Sequence, residues 1–198
     1  MGVLSWNRLL REQLTAHWEG QLRPRLDGLT DREYFWEPAP GWNVRPRGTG
    51  TAPVQGGSGA MTIDFAFPEP VPPPLTTIAW RLGHVIVGVL AVRNATHFGG
   101  APASYESFAY AANAQEALAQ LDAQYATWLA GVESLGEEGL ARPCGPEEGP
   151  YAEQPMAALV LHISRELVHH LAEVCLLRDL HEHLHRDGGS RPHEEKGH

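Results

Sequence analysis

Cysteine, basic charge and long apolar runs are all scarce in this 198-residue chain. Its two cysteines, Cys144 and Cys175, do not form a disulfide framework and are typical of a reducing cytoplasm, where we expect the protein to reside. A formal net charge of −9 opposes binding to nucleic acid. The longest strongly apolar stretch, residues 85–92, is too short to span a bilayer, and residues 1–14 lack the pattern of a secretory signal. We therefore expect neither a membrane partner nor export.

Several motifs of nucleotide-binding proteins and hydrolases are also missing. The chain has no P-loop glycine pattern, no dinucleotide-binding fingerprint, no Gly-x-Ser-x-Gly elbow and no internal repeat. Its length suits one domain, which we place at residues 1–183. Residues 184–198 are rich in histidine and charge but lack apolar periodicity, which predicts a disordered, solvated tail with at most loose affinity for metal.

Four segments carry apolar residues at helical spacing. They predict helices over residues 4–26, 76–97, 113–135 and 155–177, with Thr76 or Thr77, Asn113 and Pro155 placed as helix starts. Between the first two, Thr30 and Glu33 have the spacing of a capping box for a short helical piece. Residues 38–74 are dominated by glycine and proline, which predicts a long irregular connection. Since no strand pattern is convincing, the fold class expected is an all-α four-helix bundle.

One pair of side chains on the fourth predicted helix has metal-ligand spacing. Glu166 and His170 are four residues apart, so both side chains leave the same face of a helix. His84 lies amid apolar residues of the second helix, and antiparallel packing would bring it opposite that pair. His162 and His169 fall nearer the flank, where solvent-facing or supporting roles are expected. The predicted ligands of a divalent metal are therefore His84, Glu166 and His170.

Two ordinary interpretations compete with this site. A glutamate and a histidine four residues apart are commonly a surface pair on a helix. An inward-facing histidine such as His84 is, by itself, more often a hydrogen-bonded core residue. Spacing alone does not separate these alternatives from metal ligation.

The chain resembles the DinB-like superfamily, which includes YfiT-like proteins and mycothiol-dependent maleylpyruvate isomerases. The resemblance covers most of the chain apart from the tail. It rests on the segments TTIAWRLGH (76–84), LHISRELVHH (161–170), LLRDL (176–180), 29–31, 36–38 and Trp42. It implies that His84, Glu166 and His170 hold a divalent metal, with zinc or nickel expected. Many members have histidine where this chain has Glu166, so the chain is similar to the His-Glu-His branch that contains the isomerases.

That resemblance implies low-molecular-weight-thiol chemistry, with mycothiol, bacillithiol or a similar thiol as cofactor and an electrophilic small molecule as substrate. Three protein ligands leave a coordination position open, as catalytic sites do, and metal would lower the pKa of a bound thiol for S-transfer or isomerisation. Arg81 and Arg165 are candidates for binding a carboxylate of substrate or cofactor, with plain surface exposure as the alternative.

Two other functions fit the same residues. Two histidines and one carboxylate also form the facial triad of non-haem iron oxygenases. Alternatively, the metal stabilises a non-catalytic, stress-linked binding protein. Bundles of this kind often dimerise through outer helix faces, so a homodimer is an alternative to a monomer.

Overall fold

The computed structural model describes residues 4–186, and helices make up most of this part. The α-helices are α1 Trp6–His17, α2 Asp31–Tyr34, α3 Ile78–His84, α4 Val92–Phe98, α5 Ala114–Ala141 and α6 Met156–Arg186. Two π-helical stretches, Trp18–Leu22 and Val85–Ala91, and two 3₁₀ turns, Pro24–Leu26 and Pro146–Tyr151, extend or connect them. No helix within the described residues is both long and apolar enough to cross a membrane.

The predicted helix starts are confirmed by side-chain caps. Thr30 and Glu33 form the expected capping box at the start of α2. Thr77 accepts a hydrogen bond from the backbone N–H of Trp80 at the start of α3, and Asn113 caps α5 in the same way. These oxygens satisfy backbone donors that have no partner inside the helix.

Four long helical segments pack around one core. They are α1 with its two extensions, the continuous run α3 to α4, α5, and α6. The largest fully buried side chains come from all four: Leu26, Ile78, Leu82, Ile86, Leu90, Leu121, Trp128, Ile163, Leu167 and Leu171. Because α3 packs directly on α6, the two helices predicted to carry metal ligands are neighbours.

The 38–74 connection is more ordered than the sequence indicated. It contains β1 Gly41–Trp42, β2 Val44–Pro46, β3 Val54–Gly56 and β4 Met61–Phe65, and β5 Leu75–Thr76 follows it. Strands β2, β4 and β3 form an antiparallel sheet in that order, while β1 pairs with β5 in parallel. The expectation of an all-α bundle was therefore too narrow, because two small sheets accompany the helices.

Buried polar contacts hold the larger sheet. The Asp64 carboxylate accepts hydrogen bonds from Arg45 Nε at 2.9 Å and from the backbone N–H of Asn43 at 3.1 Å. Arg45 Nη1 also donates to Glu37 Oε1 at 2.7 Å. These charge-assisted bonds compensate for the burial of Asp64, whose side chain is almost fully enclosed.

Two helix ends differ from the sequence-based bounds. The third helix was predicted to end before residue 136, but α5 continues to Ala141, and Gly136, with φ 57° and a non-helical backbone, only kinks it. At the C-terminus, α6 continues to Arg186, past the helix end predicted at 177, so the disorder predicted from residue 184 is wrong for residues 184–186. The remaining tail residues, 187–198, lie outside the described residues.

Candidate metal centre

His84 and His170 face each other across the contact between α3 and α6. Their ring centroids are 4.7 Å apart, with the ring planes at 82°. His84 is the last residue of α3, and Trp80, one turn earlier, stacks on its ring with centroids 5.5 Å apart. Two histidines from different elements thus meet at one point, as the predicted site requires.

Glu166 lies beside His170 on α6. Its Oε2 atom is 3.5 Å from His170 Nε2, the distance expected for side chains one helical turn apart. Burial lowers the pKa of His84, and the negative charge of the nearby Glu166 opposes this shift. All three predicted ligands are therefore in one neighbourhood.

Each histidine has a hydrogen-bond partner on its Nδ1 atom. His84 Nδ1 is 2.6 Å from the Tyr105 hydroxyl oxygen, and His170 Nδ1 is 3.2 Å from Glu173 Oε2. A histidine that binds metal through Nε2 commonly donates its Nδ1–H to such an oxygen, which fixes the ring orientation. With both Nδ1 atoms engaged, Nε2 is the ring nitrogen that each histidine has available for a cation.

A second set of side chains overlaps this one. Among the described residues, the ligand atoms that all lie within 4.8 Å of one another belong to His169, His170 and Glu173, a group that could hold a metal and that includes neither His84 nor Glu166. In that arrangement His170 would use Nδ1 instead of Nε2. Glu173 was not among the predicted residues, although its position three residues after His170 on the same helix was a readable signal.

Exposure distinguishes the histidines of α6. The side chain of His170 is 17% exposed, against 44% for His162 and 62% for His169. This agrees with the expectation that His170 faces inward and the other two lie on the flank. His162 Nδ1 is 3.5 Å from Glu166 Oε1, so it lies next to the predicted ligands without being one of the facing pair.

The two predicted carboxylate-binding arginines have different surroundings. Arg81 is partly buried and its guanidinium contacts Glu173 Oε2. Arg165 is 70% exposed, donates from Nη2 to His162 Nδ1 at 2.7 Å, and has Nε 3.6 Å from Glu166 Oε1. Of the two arginines, Arg165 is the one whose side chain is mostly exposed and accessible to an external carboxylate.

Burial controls the protonation of the residues around His84. It lowers the pKa of His84 to about 4, and the nearby His170 lowers it further against the opposing charge of Glu166. His84 is thus neutral near pH 7, the form that binds a metal. Burial also raises the pKa of Tyr105 to about 12, while the positive charge of Arg93 opposes this. Tyr105 therefore keeps its hydroxyl proton.

A cavity of about 430 Å³ lies beside these residues. Its wall includes Arg93 of α4, Glu148 of the Pro146–Tyr151 turn, and His162 and Arg165 of α6. His162 and Arg165 both approach Glu166, so two side chains of the wall connect the cavity with one predicted ligand, although His84, Glu166 and His170 do not themselves line it.

Comparison with known proteins gives one match. A family model of the DinB superfamily matches residues 13–174, a stretch that includes α3, the 38–74 connection and every candidate ligand. No curated protein and no solved structure matches the chain significantly. Because the matched residues are most of the chain, it belongs to the DinB superfamily.

Proposed function

We propose that the chain is a divalent-metal-dependent enzyme in which His84, Glu166 and His170 hold the metal, with zinc or nickel as the resident ion. The observation that carries the proposal is the pair of perpendicular imidazoles, 4.7 Å apart, with Glu166 beside His170. Superfamily membership is consistent with such a site at the junction of two helices.

The hydrogen bonds around the site favour this set of ligands over His169, His170 and Glu173. Glu173 Oε2 already contacts both Arg81 and His170 Nδ1, so a metal in the second set would have to displace these contacts or use Oε1, which is 3.7 Å from His169 Nε2. With Nδ1 of His170 engaged in this way, its Nε2 remains directed toward Glu166. His169 is mostly exposed and lacks the enclosure of His84.

We further propose that the enzyme uses a low-molecular-weight thiol, such as mycothiol or bacillithiol, in S-transfer or isomerisation of an electrophilic substrate. When bound, a divalent cation lowers the pKa of a coordinating thiol or water and supplies a nucleophile near neutral pH. The chain's own contribution is orientation. Tyr105 and Glu173 fix the two imidazole rings, and Trp80 covers one face of His84.

Metal analysis of protein purified without an affinity tag tests the ligand assignment. We expect near-stoichiometric metal in the parent chain, a strong loss in His84→Ala and Glu166→Ala, and full occupancy in His169→Ala. The matched histidine variants separate the two overlapping sets, because His170 belongs to both. Full occupancy in His84→Ala with loss in His169→Ala would contradict the proposed ligands.

The thiol is tested with cobalt-substituted protein. Titration with mycothiol, bacillithiol and glutathione should produce a sulfur-to-metal charge-transfer band with at least one of them. If none produces a band, the thiol-dependent reaction is wrong. The same metal site would then serve a non-catalytic binding protein, or iron and dioxygen chemistry.

A further inference from the structure

The π-helical stretch Val85–Ala91 changes which residues share a side of the helix with His84. Arg93 follows His84 by nine residues, which in a regular α-helix is roughly two and a half turns and places the two on opposite sides. In a π-helix the backbone hydrogen bonds connect residues five positions apart, so each turn contains more residues than a turn of an α-helix. Arg93 consequently lies close enough to Tyr105, the partner of His84, for its charge to act on that hydroxyl.

The cavity into which Arg93 extends has the size and lining of a small-molecule site. Its volume of about 430 Å³ falls within the range of roughly 300–1,000 Å³ that is common for ligand pockets. Leu159 and Tyr151 provide apolar and aromatic surface, while polar groups come from α4, α6 and the Pro146–Tyr151 turn. A few polar groups on an otherwise apolar wall are the usual basis of ligand orientation.

Neither arginine of this cavity donates a hydrogen bond to an acid within residues 4–186. Arg93 Nε is 3.2 Å from Glu148 Oε1 but is not aligned as a hydrogen bond, and Arg93 donates no hydrogen bond within residues 4–186. Glu148 instead accepts from His97 Nε2 at 2.9 Å. Arg165 adds a second, largely exposed guanidinium. The cavity wall therefore carries two guanidinium groups and one carboxylate.

A larger cleft elsewhere in the molecule is also lined by arginines, and three of them donate hydrogen bonds to acids of the same cleft, in the pairs Arg25–Asp179, Arg178–Glu33 and Arg186–Glu182. In the cavity, Arg93 and Arg165 each lie near one carboxylate, at 3.2 Å from Glu148 and 3.6 Å from Glu166, but neither donates a hydrogen bond to it within residues 4–186. The guanidinium N–H groups of the cavity are therefore less engaged by acids than those of the larger cleft.

We infer that the cavity bounded by Arg93, His162 and Arg165 binds the carboxylate of a small organic acid. Guanidinium groups suit this role because their planar donors match a carboxylate with two parallel hydrogen bonds. That the acid is the reactant of the metal centre rests on the proposed function. The contacts of His162 and Arg165 with Glu166 place the bound acid next to the metal ligands.

Calorimetric titration with succinate tests this assignment, with succinamide as the uncharged control. We expect succinate to bind and succinamide not to bind. Arg93→Gln and Arg165→Gln should each weaken succinate binding by about tenfold or more, since each removes charge-assisted hydrogen bonds. Arg8→Gln, which changes an exposed arginine paired with Glu12 on α1, should leave succinate affinity unchanged.

Glu148→Gln provides a prediction of opposite sign. It removes the one carboxylate of the cavity wall that competes for Arg93, so succinate affinity should rise several-fold. A gain in affinity cannot arise from misfolding. An unchanged or lower affinity in folded Glu148→Gln would overturn the role given to Arg93.

Two further arms identify the source of the carboxylate and separate this site from the metal. S-methylglutathione has the carboxylates of a thiol cofactor but a methylated sulfur. If it binds in an Arg93-dependent manner, the cavity holds the carboxylate of the thiol cofactor. If only succinate binds, the cavity holds the carboxylate of the substrate. Arg93-dependent binding by metal-free protein supports the cavity even if the metal proposal fails. Two results would overturn the cavity assignment and leave the metal proposal standing. In the first, succinate binds only to metal-loaded protein and binds equally well to the parent and to Arg93→Gln. In the second, succinate does not bind at all.

Discussion

Tyr105 links the candidate metal centre to a part of the chain outside the helices. It lies between α4 and α5, and its hydroxyl oxygen is 2.6 Å from His84 Nδ1. Gly88 permits this approach, because a Cβ atom added there would lie 2.0 Å from the same oxygen. The orientation of His84 therefore depends on a residue that is not itself a candidate ligand.

Tyr105→Phe should reduce metal affinity by about 10- to 100-fold without removing a ligand, because His84 loses the partner that orients its ring. Competition with a chelator of known affinity measures the effect. Tyr125→Phe is the matched control, since Tyr125 stacks on Trp18 in the core and should leave metal affinity as it is. Equal affinities in the two variants would show that the hydroxyl has no positioning role.

At the residue scale, only some residues of the candidate site could be predicted from the sequence. Glu166 and His170 could be predicted because helical spacing places them on one face, and Glu173 carried the same kind of signal. Tyr105 had none, since a loop residue reaches His84 only through tertiary packing. Arg93 was not among the predicted site residues, and the π-helical stretch that separates it from His84 is not visible in apolar periodicity.

The short helix α2 is attached to the long helix α6 through one carboxylate. Glu33 Oε2 accepts hydrogen bonds from the backbone N–H and hydroxyl of Thr30, both at 2.8 Å, and its Oε1 accepts from Arg178 Nε at 2.9 Å. Burial alone raises the pKa of Glu33, but these hydrogen bonds outweigh it and the pKa is lowered from its usual 4.5. Glu33 thus stabilises the fold as an anion.

Glu33→Gln should lower the free energy of unfolding by about 1–3 kcal/mol near pH 7, since it removes charge-assisted bonds but keeps the side-chain shape. A lowered pKa means that this contribution is complete above pH 4.5 and is lost as the pH falls through the lower folded-state pKa. The difference between the parent and the variant should therefore shrink in acid.

Urea unfolding near neutral pH and near pH 3 measures this difference. Glu12→Gln, in the exposed pair with Arg8, should change stability by less than about 0.5 kcal/mol at either pH. A Glu33→Gln difference that grows in acid would contradict the assigned direction of the pKa.

Element type was predictable from sequence where segments are long. The four helical segments repeat their apolar stripes over several turns, and side-chain caps confirm the starts predicted at Thr77 and Asn113. The strands are only two to five residues long, too short for an alternating pattern to be recognised among glycines and prolines. Their pairing depends on contacts such as Asp64 with Arg45, which join residues 19 positions apart.

At the scale of the whole molecule, α6 connects the core with the candidate site. Leu167 and Leu171 are fully buried on its inner face, and Glu166 and His170 directly precede them in the sequence. Packing of this helix therefore fixes both global stability and the position of two proposed ligands.

Leu167→Ala should destabilise the protein by about 2–5 kcal/mol, because it creates a cavity in the core. Leu176→Ala removes the same atoms from the same helix, but this side chain is 66% exposed and the expected change is below about 0.5 kcal/mol. Chemical denaturation of both variants measures the contrast. Similar losses in the two would mean that α6 is not packed as described.

The wide turns between His84 and Arg93 couple the length of this stretch to its winding, because a π-helical turn contains more residues than an α-helical turn. Eight residues of regular α-helix would place two side chains about 80° apart, whereas nine would place them on opposite sides. Deleting one residue within Val85–Ala91 with a return to α-helical winding should therefore leave Arg93 on about the same side as His84. A change of winding at constant length, or of length at constant winding, would instead change which residues share a side of the helix with His84.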